Sequence, residues 1–323
     1  MLDTIISYVS AAIIQAIPLL YGATGEIITE KSGNLNLGIP GIMYMGGISG
    51  VVGAYLYEHF CAEPNTVLLV LIPLLSALLG SALLSLIYSF LTVTLKANQN
   101  VTGLALTTFG VGIGNFFGGS IVGLLGESGS VQLPATAAVY KTTFPFMKHF
   151  GDLANTGFLL YLAIIIAIAA SIFLNKTKTG LNLRAVGEAP ATADAAGINV
   201  DRYKYLSTCI GGAIAGLGGL YFVMDYTGGS WTNNGFGDRG WLAIAIVIFA
   251  LWKPSMAILS SFVFGALYIA CVKLPGLSGS DKELIKMLPY IVTIVVLIIT
   301  SARKKRENQP PESLGLSYFR EER

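Results

Sequence analysis

Charged residues are scarce in this chain of 323 residues. Asp, Glu, Lys and Arg together make up 12% of it, whereas hydrophobic residues make up 54%. Because a soluble domain carries about 25% charged residues, the composition excludes a soluble globular protein and predicts an integral membrane protein. The net charge of +2 gives no reason to expect nucleic-acid binding, which needs a strongly basic surface.

Cysteine and histidine are also rare. The three cysteines, Cys61, Cys209 and Cys271, lie far apart in or beside apolar segments, with no disulfide or metal-ligand spacing. The two histidines, His59 and His149, fall in polar loops, where solvated side chains are expected. We therefore expect no metal site and no cofactor in this chain.

Signatures of catalysis are missing as well. No Gly-rich loop ending in GK[ST] is present, so the chain has no such cradle for nucleotide phosphates. No nucleophile–histidine constellation is visible either. The sequence therefore argues against an enzyme and predicts no catalytic residues, and ATP-driven transport would need an ATPase on a separate subunit.

Long apolar segments dominate what is present. A membrane-spanning helix needs about 20 mostly apolar residues. By that measure we predict spans near 4–24, 38–57, 66–94, 101–125, 156–174, 205–224, 241–252, 255–275 and 286–302. The span near 241–252 is short, and we expect it to begin earlier, around Gly235. The fold class is therefore an all-α polytopic membrane protein with about nine or ten transmembrane helices.

The chain reads as one membrane domain followed by a tail. We assign residues 1–302 to the transmembrane domain and 303–323 to the tail, whose Pro-interrupted polar composition predicts disorder. No basic region precedes the first apolar segment, so we expect a retained span and not a cleaved signal.

Basic residues orient the chain, because basic loops next to spans stay in the cytoplasm. The loop 175–204 and the cluster at 303–306 carry the strong basic runs, and one topology makes both cytoplasmic. The same alternation leaves the loop 126–155 outside, with room for a short interfacial helix. It also places the C-terminus in the cytoplasm and the N-terminus outside.

Polar residues and helix breakers interrupt the apolar pattern between residues 21 and 47. Asn34 and Asn36 lie there among several glycines and a proline. Irregular backbone is tolerated at membrane depth only where protein or a water-filled cavity covers it, and broken helices of this kind build transporter sites. We predict a broken second span whose Asn34 and Asn36 face the substrate path. The alternative is an interfacial loop in which Glu26 and Glu30 face water.

A second candidate for the substrate path lies in the span near 101–125. Asn115 is followed by Phe116 and Phe117, and aromatic rings beside an amide can stack on and hydrogen-bond a flat heterocycle or a sugar. The alternative is that both phenylalanines face lipid or pack between helices. Glycines at four-residue spacing predict closely packed helices, and they are Gly110, Gly114, Gly118, Gly212 and Gly216.

Two polar segments lie between later spans. The loop 225–239 is Gly-rich, and we expect a solvated external loop in which Asp238 and Arg239 pair or meet an external partner. The island 175–204 contains an Ala-rich stretch in which Pro190 suits a first helical turn and Gly197 a helix stop. Such a short helix is suited to fill a groove in another protein, and the alternative is a solvated connector.

The sequence from Gly180 to Lys204 resembles the permease subunits of bacterial ABC importers of the branched-chain amino acid and simple-sugar group. Their cytoplasmic loop typically reads G-x-x-x-R-A-x-G-E-N-P-x-A-A-x-x-x-G-I. The residues that match are Gly180, Arg184, Ala185, Gly187, Glu188, Pro190, Ala195, Ala196, Gly197 and Ile198. Ala189 stands where the family has Asn, and the spacing between Pro190 and the alanine pair is slightly altered.

Two further segments, 25–43 and 237–254, resemble the nucleoside-importing branch of this family. The resemblance covers roughly residues 15–300. It implies a type II ABC importer fold with a broken second span, in the bacterial cytoplasmic membrane. It also implies a related second permease that forms a heterodimer, a double-ATPase subunit that binds ATP and Mg²⁺, and a surface substrate-binding lipoprotein.

The resemblance also assigns roles to residues. It implies that residues 190–196 form a coupling helix that enters the ATPase groove. The implied coupling residues are Arg184, Gly187, Glu188, Pro190, Ala195, Ala196 and Gly197.

The cargo that we favour is a nucleoside, a small uncharged solute. A simple sugar or a branched-chain amino acid is the first alternative, although no mid-span Arg or Lys is evident to bind a carboxylate. A stand-alone secondary transporter would favour an intramembrane carboxylate or histidine relay, for which only Glu26 and Glu30 are near candidates. A membrane enzyme or scaffold is disfavoured by the missing catalytic residues.

Overall fold

Helices make up nearly all of the computed structural model, which describes residues 2–124, 130–141, 156–273, 278–303 and 309–320. The helices are α1 (Leu2–Glu30), α2 (Ile39–Phe60), α3 (Thr66–Ser89), α4 (Gln99–Leu124), α5 (Pro134–Tyr140), α6 (Phe158–Lys176), α7 (Lys178–Glu188), α8 (Pro190–Ala195), α9 (Val200–Tyr221), α10 (Arg239–Phe249), α11 (Pro254–Lys273), α12 (Gly279–Lys286) and α13 (Leu288–Arg303). Two of them, α3 and α9, continue into π-helical turns at Phe90–Thr94 and Phe222–Tyr226.

The long helices confirm a multi-pass membrane protein. Six helices are long and apolar enough to cross a membrane: α1, α2, α3, α4, α6 and α9. Two shorter apolar helices, α10 and α11, and the 16-residue α13 coincide with the last three predicted spans. Helix α10 begins at Arg239, four residues later than the sequence suggested, because the preceding polar segment forms a loop.

The interruption that we predicted inside the second span lies immediately before it. Helix α1 remains helical to Glu30, and α2 is continuous from Ile39 to Phe60. Gly33, with φ of +87°, takes the left-handed conformation that ends helices. Pro40 lies in the first turn of α2, where no N–H is needed. The break is therefore the loop of residues 31–38, which we call the α1–α2 loop.

Helix α9 lies at the centre of the bundle, packed against α1, α2 and α3. A Cβ atom on Gly46 of α2 would collide with the backbone of Gly216 in α9. A Cβ atom on Gly110 of α4 would collide in the same way with Gly41 of α2. Of the glycines predicted to pack helices closely, Gly110 and Gly216 thus meet the backbone of another helix. A Cβ atom on Gly114, Gly118 or Gly212 would instead meet a side chain.

The loops gather at two ends of the bundle. At the end that carries α7 and α8, Lys96 pairs with Asp201 at 3.7 Å. At the other end, Glu58 accepts a hydrogen bond of 2.8 Å from the Thr136 N–H of α5. We call these the α8 end and the α5 end. The described loops alternate between them in the predicted order, and α5 is the short helix expected within the loop 126–155.

The predicted disorder of the C-terminal tail is wrong for residues 309–320. Pro311 and Ser313 are buried, and the segment is hydrogen-bonded to the α8 end. Its polar, Pro-rich composition favours disorder only where nothing pairs with its backbone. The basic residues 304–306 and most of the loop 126–155 lie outside the described residues.

Candidate functional site

The backbone of the α1–α2 loop is bound by side chains of α3 and α4. The Leu35 N–H donates to Gln99 Oε1 at 2.7 Å, and the Leu35 carbonyl accepts from the Tyr88 hydroxyl at 2.5 Å. The Leu37 carbonyl accepts from the Thr107 hydroxyl at 2.8 Å. Because a break leaves backbone groups without helical partners, these side chains make an irregular loop possible inside the bundle.

The two asparagines of this loop, Asn34 and Asn36, are both fully buried. Asn34 donates through Nδ2 to Thr208 Oγ1 of α9 at 3.0 Å. Asn36 accepts at Oδ1 from the Gly38 N–H at 2.9 Å, and its own N–H donates to Glu26 Oε1 at 3.1 Å. In this conformation both residues hold the shape of the loop, and their place in a substrate path stays a prediction.

The carboxyl groups near the end of α1 are buried as well. Glu26 is fully buried and Glu30 is 3% exposed, so the alternative in which they face water is wrong. The Glu30 carboxylate accepts a hydrogen bond from the indole N–H of Trp252. Burial of such polar groups is costly without hydrogen-bond partners, and the Asn36 N–H and the Trp252 indole each supply one.

Some polar atoms around the α1–α2 loop have no partner. Among the described residues, Glu26 Oε2, Asn34 Oδ1 and Asn36 Nδ2 make no hydrogen bond. Unpaired buried polar atoms are rare because each one costs free energy. This group of atoms is therefore stabilised by any second conformation or polar solute that gives it hydrogen bonds.

A second polar cluster lies on α2 and α4, where the segment 227–238 between α9 and α10 folds back along them. The Tyr44 hydroxyl donates to Asn115 Oδ1 at 2.5 Å, and Asn115 Nδ2 donates to Asn234 Oδ1 at 2.9 Å. The Asn234 N–H donates to the Tyr44 hydroxyl at 2.8 Å. We call Tyr44, Asn115 and Asn234 the amide cluster.

The amide cluster lies well inside the length of the helices. About 20 Å of helix separates Tyr44 from Glu58, which contacts α5. The segment 227–238 begins beyond α9 at the α5 end and folds back to reach Tyr44, while residues 232–235 are exposed as expected of a solvated loop; its external location stays a prediction. The sequence offered a signal in the two asparagines and the tryptophan of this Gly-rich segment.

Aromatic rings surround the amide cluster. Trp231 is buried, meets Tyr44 edge to face at 5.1 Å between ring centroids, and donates its indole N–H to Asn233 at 3.0 Å. Phe116 and Phe117 are 61% and 38% exposed. They point out of the chain, which agrees both with the predicted substrate path and with the alternative of lipid contact. Residues 232–235 are exposed on the same side of the cluster.

Arg239 holds the segment 227–238 in place, a role that the sequence did not reveal. Its guanidinium is buried and lies over three aromatic rings, with ring centroids 4.5–5.2 Å away. It donates to the Phe236 carbonyl at 2.8 Å and also reaches the amide of Gln15 in α1. The positive charge is thus stabilised by backbone carbonyls, an amide and the faces of aromatic rings. The contacts of the guanidinium are therefore with these groups and not with the amide cluster.

At the α8 end, the structure confirms the short helix predicted in the loop 175–204. Pro190 lies in its first turn, and Gly197, with φ of +83°, follows its last residues. Only Ala193 of α8 is buried, in a small apolar core with Val186 and Val200. The residues that face outward are small, and they are Ala191, Thr192, Ala195 and Ala196.

Helix α7 brings the other predicted coupling residues against the α1–α2 loop. A Cβ atom on Gly187 would lie 3.2 Å from the Gly33 nitrogen, so only glycine lets the two backbones meet this closely. Arg184 and Glu188 line a cleft of about 690 Å³ together with Lys31. Burial lowers the pKa of Lys31, and Glu188 opposes that shift.

The predicted site residues thus fall into two groups. Asn34 and Asn36 lie beside the coupling residues at the α8 end, since Gly33 contacts Gly187. Asn115, Phe116 and Phe117 lie closer to the α5 end, with the segment 227–238. Helix α2 joins the groups, because it begins at the α1–α2 loop and carries Tyr44.

Comparison with known proteins identifies close relatives. The family model of the branched-chain amino acid transport system permease component matches residues 8–297. The chain is 30% identical to the guanosine ABC transporter permease protein of Bacillus subtilis, over 98% of this chain and 97% of the relative. It is 28% identical to a nucleoside ABC transporter permease protein of Lactococcus lactis, over 98% of both chains.

Other relatives widen this comparison. A putative glucose ABC transporter permease protein of Haloferax volcanii is 29% identical over 97% of both chains. A second nucleoside ABC transporter permease protein of Lactococcus lactis is 23% identical, over 87% of this chain and 76% of the relative. One organism therefore has two nucleoside permease chains that are similar to this one.

Removal of the Arg239 charge should loosen the segment 227–238. Arg239→Met keeps most of the side-chain length but leaves the Phe236 carbonyl without its donor, so we expect a loss of about 2 kcal/mol or more in stability. The thermal unfolding of the detergent-solubilised protein would measure it. Arg202→Met, on the exposed start of α9, is the matched control. Equal midpoints for the two variants would contradict the role of Arg239.

Proposed function

Because this chain belongs to the permease component family of branched-chain amino acid transport systems, we propose that it is a pore subunit of an ATP-driven importer of nucleosides. The observation that carries this choice of cargo is the match to a nucleoside and a guanosine permease over nearly the whole chain. In this proposal ATP is hydrolysed on a separate subunit, and this chain contributes no catalytic residue.

The amide cluster supports an uncharged cargo. Its groups are hydroxyl and amide groups, which exchange hydrogen bonds with sugar hydroxyls and with the ring nitrogens of a base. The exposed Phe116 adds aromatic surface, which favours contact with a flat heterocycle. In our proposal the solute passes the amide cluster and then the α1–α2 loop, where the unpaired atoms of Asn34 and Asn36 contact it transiently.

A sugar is the second candidate cargo. The relative from Haloferax volcanii is described as a putative glucose permease and matches over the same length of chain. Amides and aromatic rings also suit a sugar, because hydroxyls bind amides and C–H faces stack on rings. The difference between the two cargos is the base, which only a nucleoside presents to the aromatic side chains.

The partners follow from the same proposal. The two permeases of Lactococcus lactis support a heterodimer of this chain with a related second permease. We propose that α8 enters a groove of the ATPase subunit, because its exposed face consists of small residues on a six-residue helix. The α8 end and the C-terminus are then cytoplasmic, and a substrate-binding lipoprotein delivers the solute at the α5 end.

Uptake by the complete importer tests the cargo. The chain, its second permease, the ATPase and the binding lipoprotein should together import radiolabelled guanosine or uridine into a strain that lacks other nucleoside importers. A hundredfold excess of unlabelled adenosine should compete, whereas glucose should not. If the importer takes up glucose and an excess of nucleoside does not reduce that uptake, the cargo is a sugar and the nucleoside proposal is contradicted.

Substitutions in the amide cluster test the path within the same assay. Asn115→Leu removes the three hydrogen bonds of this side chain, and we expect uptake per molecule to fall by roughly tenfold, as for about 1.4 kcal/mol of lost interaction. Asn100→Leu is the control, because Asn100 is exposed near the start of the same helix. Equal uptake by both variants at equal abundance would remove the amide cluster from the path.

Bulky charged side chains on α8 should block its docking. In the double variant Ala195→Glu, Ala196→Glu, two exposed alanines become too large for a groove fitted to them. We expect the protein to insert normally while ATPase copurification and nucleoside uptake are both lost. Ala138→Glu, on the exposed face of α5 at the opposite end, is the control for ATPase copurification. Undiminished uptake by the double variant would refute docking through α8.

Thiol labelling tests which end faces the cytoplasm. Single cysteines at Thr192 of α8 and at Ala138 of α5, both exposed, are made in a background without Cys61, Cys209 and Cys271. An impermeant thiol reagent applied to intact cells should label position 138 and spare position 192 until the membrane is opened. The reverse pattern would invert the proposed topology.

A further inference from the structure

The last described segment of the chain is bound to the end of α7. We call residues 311–320 the strap. Ser313 donates to the Gly187 carbonyl twice, through its N–H at 3.0 Å and through its hydroxyl at 2.5 Å. Gly187 lies in the last turn of α7, where carbonyls have no partner within the helix. The strap therefore completes the hydrogen bonding of a helix that is remote from it in sequence.

The strap also binds the α1–α2 loop. The Gly315 N–H donates to the Gly33 carbonyl at 3.1 Å. Gln99 Nε2 donates to the Leu316 carbonyl at 3.4 Å, while Oε1 of the same amide accepts from the Leu35 N–H at 2.7 Å. One glutamine of α4 thus connects the strap and the α1–α2 loop, and it is buried.

The end of the strap reaches α8 itself. Tyr318 donates its hydroxyl hydrogen to Asp194 Oδ2 at 2.8 Å, and the Arg320 Nε atom lies 3.2 Å from the same oxygen. The Asp194 side chain is only 12% exposed, so this carboxylate is largely removed from water. Charge-assisted hydrogen bonds are stronger than neutral ones. The contact from Arg320 therefore adds to the bond from Tyr318 in fixing α8 to the strap.

We propose that the strap is a coupling element that ties α8 to the α1–α2 loop. Apart from the strap, α8 is anchored by Ala193, which is buried with Val186 and Val200. The partly buried side chains of Ala185, Ile198 and Tyr203 pack against this core. With the strap in place, a displacement of α8 also pulls on Gly33 and Leu35. Ser313, Tyr318 and Arg320 are positioning residues in this scheme, because they act through α8 and the loop and not on the solute.

The inference rests on the proposed function, since it takes α8 as the contact with the ATPase. All the groups that the strap binds in this scheme belong to the chain itself. They are the Gly187 and Gly33 carbonyls and the Asp194 carboxylate. A strap that only stabilised the fold would lower the amount of protein. A coupling strap lowers instead the quantity of solute moved for each ATP hydrolysed, and the two effects can be measured separately.

Nested truncations of the complete importer in proteoliposomes test the strap. A chain that ends at Pro310 loses every strap contact, whereas a chain that ends at Arg320 keeps them all and serves as the control. ATP hydrolysis and uptake of guanosine, or of glucose if that is the cargo, are measured on the same vesicles. We expect the Pro310 chain to copurify with the ATPase, hydrolyse ATP and lose about tenfold in uptake per ATP, within the range of measured coupling energies.

Equal uptake per ATP for the two truncations would overturn the coupling role. A Pro310 chain that does not accumulate would indicate a structural strap, and the charge-reversal variants below then decide. If the double variant Ala195→Glu, Ala196→Glu still binds the ATPase, then α8 is not the contact, and that part of the proposed function is contradicted. If that variant abolishes docking while strap variants couple normally, only the strap inference fails.

A charge reversal tests the contact with α8 without removing the strap. Asp194→Arg and Arg320→Asp each bring like charges together, and each should lower uptake per ATP. The double variant restores an opposite pair and should recover most of the coupling, although Tyr318 loses its acceptor. Lys286→Asp, on exposed α12, is the control for an added negative charge. Failure of the double variant to exceed either single variant would overturn the contact between Arg320 and α8.

Discussion

The hydrogen bonds that side chains give to the α1–α2 loop are the interaction on which the rest of the structure depends. A break inside a membrane bundle exposes N–H and C=O groups that lipid cannot satisfy. Gln99, Tyr88 and Thr107 supply partners from α3 and α4, so these helices must pack against the loop. The loop then sets where α2 begins, and α2 carries the amide cluster.

Backbone contact between glycines determines how this assembly can move. Where Gly46 meets Gly216 and Gly110 meets Gly41, no side chain separates the helices, so they cannot slide past one another without a clash. Interiors packed this closely change between discrete arrangements and do not deform continuously. Helices α2, α4 and α9 are therefore in direct backbone contact, and any change in their arrangement must lead from one closely packed state to another.

Local pattern was enough to predict the spans, the glycine contacts and the short helix at Pro190, because each depends on residues close together in sequence. The predicted position of the break differs from the observed one by a few residues. Helix α1 continues past Gly25 to Glu30, because Glu26 and Glu30 have buried hydrogen-bond partners. The fold-back of Asn234 onto Tyr44, the aromatic surround of Arg239 and the strap were not predictable. The cited contacts join residues more than a hundred positions apart, and composition alone suggests a solvated loop and a disordered tail.

The spacing of the two polar clusters along α2 gives the coupling its geometry. Asn36 accepts from the Gly38 N–H at the start of α2, and Tyr44 lies about 9 Å of helix further on. A helix transmits a displacement along its axis because its backbone hydrogen bonds resist stretching, so a pull on the α1–α2 loop moves Tyr44. Tyr44 is hydrogen-bonded to Asn115 on helix α4 and to Asn234 on the segment 227–238. A shift of α2 therefore changes the hydrogen bonds of the amide cluster, and in the proposed coupling this is how motion at the α8 end reaches the solute path.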